Sequence, residues 1–306
     1  VFAFCEANGI PAQRADREPP QFWRLRETQN LASWLSERGA RPVTSDELDG
    51  WFAAQPGGRW CGLLAGAAMN YRLECGDGPL PGAHFREWLA EWGREIRQRQ
   101  NGILLLPAHR VKGQEFAHVA VLDGAWEDRE ADEDPDAARR LFYVAMTRAR
   151  KTLTLARMKG RHNLVDRLPV LSSVFRRDAP AIAGLPPEWN RRHEVLTPGD
   201  IDLGFAGRQP PGAAVHRALA SLQPGTLLRL ARANDRWHLE HQGRVVGRLA
   251  GGYAIRDGMQ CVEARTHAVL VRFRNDGDQA YAGSVRCDRW EVVLPELVFA
   301  SCENRQ

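Results

Sequence analysis

The sequence predicts an α/β fold: a parallel-sheet domain carrying an all-helical insertion, followed by a small all-β, barrel-like domain. Three observations predict it. Short apolar runs at 103–106 and 118–122 flank a polar loop and lead into a helical pattern at 136–150 and another apolar run at 152–156. That order, strand, loop, strand, helix, strand, belongs to a parallel sheet crossed by a helix. Apolar residues recur at helical spacing from Phe22 to about Arg99, and past residue 185 they alternate between short turns, as in a small barrel.

The elements follow in order. Residues 1–8 read as the end of an amphipathic helix, Gly9 as its stop, and 10–12 as an extended entry; 14–20 form a polar break. Phe22, Leu25, Leu31, Trp34 and Leu35 mark a first helix. Thr44 and Glu47 make a capping box ahead of Leu48, Trp51 and Phe52. Helices are expected at 59–74 and 83–99, split by the turn cluster 76–82. The runs 103–106 and 118–122 have the continuous apolar character of fully buried parallel strands. An acidic loop, 127–136, leads to the helix 136–150. Asp134 or Asp136 caps that helix, Pro135 suits its first turn, and Leu141 and Val144 face the sheet. In the last third, 226–232, 237–241, 244–249, 261–273 and 289–294 alternate, with turns at 234–235, 242–243 and 275–277. The expected organisation is 1–20 with 100–180 as the parallel-sheet domain, 21–99 as the helical insertion, and 185–306 as a small OB- or SH3-like β module.

Composition narrows the class. A chain of 306 residues, 43% hydrophobic and 26% charged, has room for two or three globular domains. No apolar run approaches the ~20 residues that cross a bilayer, and the first residues lack a signal peptide's basic start and cleavage site. The start, without Met and within a helical pattern, predicts a piece of a larger protein. Six single cysteines without a Cys-x-x-Cys pair offer no metal site and suggest idle thiols in a reducing cytoplasm. A net charge of +4 with pI near 8.9 permits nucleic-acid binding. Nearly all the cations are arginines; lysine occurs at Lys112, Lys151 and Lys159, one of them inside the loop between the two apolar runs.

Two segments carry chemistry. Arg148 sits at the end of the 136–150 helix, on the rim of its apolar face. A guanidinium is always charged and grips phosphate through a planar fork. At a domain edge it can reach a nucleotide held by a neighbour, where such an arginine speeds phosphoryl transfer by ~10³ or more. Arg140 and Arg150 read as ordinary surface arginines. In the loop 107–116, His109 and Arg110 suit DNA phosphates, Lys112-Gly113 allows close backbone approach, and Glu115 can accept hydrogen bonds from a ribose. From the residues alone, a polar crossover loop with an incidental histidine explains that segment equally well. In the β module, Trp237, Tyr253, Phe273, Tyr281 and Trp290 are candidates for base stacking or for core. Arg229, Arg232, Arg244 and Arg248 suggest one basic face or a solvated one.

The segments Ala108-His-Arg-Val-Lys-Gly-Gln-Glu-Phe116 and Arg139-Arg-Leu-Phe-Tyr-Val-Ala-Met-Thr-Arg-Ala149 resemble the last two nucleotide- and DNA-contacting motifs of superfamily 1 helicases of the UvrD/Rep/PcrA kind. The first departs from the family pattern at Ala108, where Thr is usual, and at Gln114, where Leu is usual. The second matches almost position for position. A weaker likeness at Gly9-Ile-Pro11 and 22–27 extends the resemblance to roughly residues 1–175. It implies a second RecA-like domain of an ATP-dependent DNA helicase, with 21–99 as a shortened accessory insertion. It implies Arg148 on the γ-phosphate, Gly113 and Glu115 at the nucleotide, and His109, Arg110, Lys112 and Thr147 at single-stranded or partly duplex DNA. ATP and Mg²⁺ would be held mainly by an N-terminal helicase domain outside this sequence. The phosphate-binding Gly-x-x-x-x-Gly-Lys-Ser/Thr loop does not occur here, so this chain alone is expected not to hydrolyse ATP. The alternative is a non-catalytic nucleic-acid-binding or regulatory protein on a helicase-like fold.

Overall fold

The structure, a computed structural model, describes residues 5, 10, 12–14, 21–76, 78–79, 81–95, 102–124, 126, 134, 136–158, 161–168, 174–178, 191–276 and 283–302. It is a mixed α/β molecule of two compact units, one formed by Val1–Asp16 with Gln100–Leu185 and the other by Arg17–Arg99 with Pro186–Gln306.

Among its described residues the first unit holds two pairs of parallel strands. β1 (Ala12–Arg14) pairs with β2 (Ile103–Leu105), and β3 (Phe116–Leu122) with β4 (Ala149–Ala156). The helix expected between β3 and β4 is present as α5 (Ala137–Met146). Val119 and Val121 pair with Leu153 and Leu155, and Val119, Val121 and Leu155 cluster with Phe142 and Ala145 of α5 and with Leu164. The opposite face carries His118, Ala120 and Leu122 beside Thr152 and Thr154, and it is open among the described residues. Full burial of the 103–106 and 118–122 runs is therefore corrected: of these residues only Val121 is buried. Parallel strands need cover on both faces, and α5 supplies one. The buried side chains of α5 are Phe142 and Ala145, with Leu141 and Val144 half-buried, so the contact stripe lies one residue round the helix from the expected one.

The second unit is built on a six-stranded antiparallel sheet. Its strands are β5 (Arg192–Val195), β6 (Leu227–Ala233), β7 (Arg236–His241), β8 (Arg244–Arg248), β9 (Met259–Phe273) and β10 (Arg289–Ser301), in the order β5-β10-β9-β6-β7-β8. β5 and β8 end the order, and no pairing among the described residues closes a barrel. Positive φ at Asn234 and Asp235, and at Gln242 and Gly243, makes the two tight hairpins β6–β7 and β7–β8.

Among the described residues this unit also holds the helices α1 (Arg26–Glu37), α2 (Ser45–Ala53), α3 (Arg59–Cys75) and α4 (Gly82–Glu95), of which α1 packs on β9 and on α3 and α4. A fifth, α6 (Ala214–Ala220), contacts β8 and β10. The predicted capping box is present at α2, where Thr44 Oγ1 accepts from Glu47 N at 3.2 Å and Glu47 Oε2 from Thr44 N at 3.1 Å. One core runs through helices and sheet, joining Leu31, Leu35, Tyr71, Phe85 and Leu89 to Val269, Leu270, Val293 and Leu297. Leu25 bridges to Leu270, Trp60 Nε1 donates to the His267 carbonyl at 2.9 Å, and Arg24 grips Asp276 through two 2.6 Å hydrogen bonds. The sequence suggests a boundary between the helical segment and the β segment; the core lies across both. Along β9 alternation gives way to continuous burial at 268–271.

Candidate functional site

The loop between β2 and β3 is anchored by one residue. Val111 is its buried side chain, held by a 3₁₀ turn (Ala108–Arg110) in which Arg110 N donates to Pro107 O at 3.0 Å and Val111 N to Ala108 O at 3.2 Å. Around that anchor, His109, Arg110 and Lys112 are exposed. Gly113 has φ +82°, a left-handed conformation that admits glycine without strain. The turn carries the chain back so that Gln114 N donates to Val111 O at 3.0 Å and Phe116 N to Arg148 O at 2.9 Å.

The second motif arrives along α5. Its first turn is tied by Arg139 to Asp136 at 3.0 Å and by Arg140 to Asp134, a pair that raises the Arg140 pKa further. Its last turn leaves carbonyls without helical partners, and Arg148 fills them. Arg148 Nε donates to Val144 O at 3.0 Å, Nη1 to Gln114 O at 3.3 Å, and Nη2 to Thr147 Oγ1 at 3.0 Å. Arg150 turns the other way, its Nε donating to Glu115 Oε2 at 2.6 Å.

The fold thus gathers Gln114, Glu115, Thr147, Arg148 and Arg150 at the amino ends of β3 and β4. His109, Arg110, Lys112 and Gly113 lie on the same loop. Among the described residues there is no group of three or more His, Cys, Asp or Glu that could hold a metal. A guanidinium has five N–H donors, and three of those on Arg148 are engaged inward, so its remaining fork is chemically suited to a phosphate.

At the other ends of β3 and β4 is a polar network that the sequence did not announce. Asp123 is buried; its carboxylate accepts from Gly124 N at 2.7 Å and from Val165 N at 2.8 Å. Asn163 is buried beside it, exchanging hydrogen bonds with Met158 N at 2.8 Å and Met158 O at 3.0 Å. A carboxylate directly after an apolar strand was the available signal. The Asp123 carboxylate ties the end of β3 to the turn at Val165 through backbone N–H groups, so the network reads as structural.

In the second unit, the expected aromatic platform is largely core. Trp290 is buried with Nε1 on Leu203 O at 2.7 Å, and Trp237 and Tyr253 pack half-buried on the same cluster. Tyr281 lies outside the described residues. The single arginine face is corrected: Arg229 and Arg232 are three apart on β6 and point to opposite faces, while Arg248 is bound to Asp202 at 2.5 Å. Burial pushes the Asp202 pKa up, but hydrogen bonds from Arg208 and Arg248 outweigh it and hold it below the usual carboxylate range. The cysteines are free, and burial pushes the thiols of Cys61, Cys261 and Cys287 up, away from thiolate reactivity.

The two segments are similar in sequence to one helicase domain. Residues 102–156, from the start of β2 to the end of β4 and so across both motifs, match the UvrD-like helicase C-terminal domain. The match supports a UvrD-like helicase C-terminal part within the chain. No curated protein matches the chain. No helix among the described residues is long and apolar enough to cross a membrane.

Proposed function

We propose that the chain is the C-terminal portion of an ATP-dependent DNA helicase or translocase that moves along single-stranded DNA. The first unit would act as its second RecA-like domain. The observation that carries this reading is the docking of Arg148 onto the Gln114 carbonyl, which links the two motif segments at one point. In this reading the outward N–H groups of Arg148 meet the γ-phosphate of an ATP held mainly by an N-terminal helicase domain of the same protein. Such contacts stabilise charge that develops in transfer and add nothing covalent. Mg²⁺ would be held mainly by that other domain. Glu115 would turn from Arg150 to the ribose, Gly113 would allow close approach, and His109, Arg110 and Lys112 would contact DNA phosphates.

The test is single-strand-stimulated ATP hydrolysis by the complete gene product and its Arg148→Ala variant. Turnover should fall by ~10³ or more in the variant, with the fold intact by circular dichroism. Normal turnover in the variant would overturn the arginine assignment. A second reading, a non-catalytic nucleic-acid-binding module, draws on Glu115 being already occupied by Arg150. It predicts DNA binding with no turnover in either protein.

A further inference from the structure

Thr147 stands next to Arg148, and its hydroxyl works in two directions. Oγ1 donates to Val144 O at 3.0 Å and accepts from Arg148 Nη2 at 3.0 Å. Arg148 Nε donates to the same Val144 carbonyl at 3.0 Å. That carbonyl lacks its helical partner, because Arg148 N turns to Ala145 O at 3.3 Å instead. Helix end, hydroxyl and guanidinium therefore close a ring of hydrogen bonds. The Gln114 carbonyl, at 3.3 Å from Nη1, holds the guanidinium from the loop side.

We propose that Thr147 is a positioning residue that fixes the Arg148 guanidinium for phosphate, rather than a contact to DNA. The inference rests on the phosphate reading of Arg148 given above. A free arginine side chain samples many rotamers, and fixing one of them costs entropy. Held by these three bonds, it keeps one N–H on Nη1 and one on Nη2 for a phosphate. Threonine suits the task because its branched Cβ restricts χ1, so the hydroxyl stays over Val144. Serine would keep the hydroxyl with more freedom, and valine would keep the shape without it.

Two measurements test this. In the chain itself, NMR would follow the Arg148 Nη signals, assigned by their loss in Arg148→Lys. They should be resolved by slowed rotation in the wild type and in Thr147→Ser, and averaged in Thr147→Val. In the complete gene product, Thr147→Val should lower kcat for ATP by about 10- to 100-fold, the scale expected of a small misplacement. DNA affinity should stay unchanged, and Thr147→Ser should recover most of the rate. Unaltered Nη signals in Thr147→Val would overturn the proposal. So would a loss of DNA affinity with kcat preserved, which would make Thr147 a DNA contact. A wild type without turnover would sink the motor reading, and the NMR comparison would still decide the positioning.

Discussion

Arg148 and Arg150 lie two residues apart and face different chemistry. Arg148 is half-buried against carbonyls, whereas Arg150 is exposed and pairs with exposed Glu115. The surface pair should contribute little, because water and salt screen it. Arg150→Ala is thus expected to change urea-unfolding stability by less than about 1 kcal/mol; a larger loss would show that the pair holds the loop. Asp123 is the opposite case. Asp123→Ala strips Gly124 N and Val165 N of their acceptor in a buried site, and the first unit should lose about 1–3 kcal/mol. A denaturation midpoint equal to the wild type's would contradict that. Sequence pattern was enough to single out Arg148, because the residues around it are local. The partner of Glu115 was not legible: an ion pair across 35 residues has no periodic signal.

At the scale of elements, what was legible is what is written locally. The α2 capping box needs four consecutive residues and was readable from them. Thr44→Ala removes the acceptor for Glu47 N and should cost about 1 kcal/mol, read as a lower midpoint in thermal unfolding; Thr44→Asp should recover it. The helical face of α5 shows the limit of local reading. The 3.6-residue period gave the helix, but an apolar stretch running through Leu141, Phe142, Val144 and Ala145 fits two adjacent stripes. Packing on Val121 and Leu164 selects the one through Phe142 and Ala145. The apolar strands likewise showed their type without showing what covers them.

At the scale of the whole molecule, the second unit joins segments far apart in sequence, and one contact lets its integrity be read by pH. Trp60 and His267 meet ring to ring at 5.5 Å, edge to face, although 207 residues separate them. No pattern within either segment announces that pairing, which is why the helical and β segments read as separate bodies. Burial first, and then the charge of Arg59, push the His267 pKa from 6.5 to about 4, with Glu296 pulling weakly the other way. In the folded unit the imidazole therefore stays neutral where the unfolded chain would protonate it. Stability contributed by the neutral ring is fully present above pH 6.5, falls as pH drops from there, and is exhausted near pH 4. Between pH 7 and 5 the loss amounts to about 2 kcal/mol. Glu296, held down by its hydrogen bond from His193, adds a loss below the ordinary carboxylate range. Glu27 and Glu291, raised by burial, work in the opposite sense, since protonation relieves their burial. Replacing only the imidazole isolates its share. Urea titrations of wild type and His267→Asn at pH 7 and pH 5 should show the wild type losing about 2 kcal/mol more than the variant on acidification. Parallel losses in the two proteins would mean that His267 is solvated, and that the helices and the sheet do not close over it as one core.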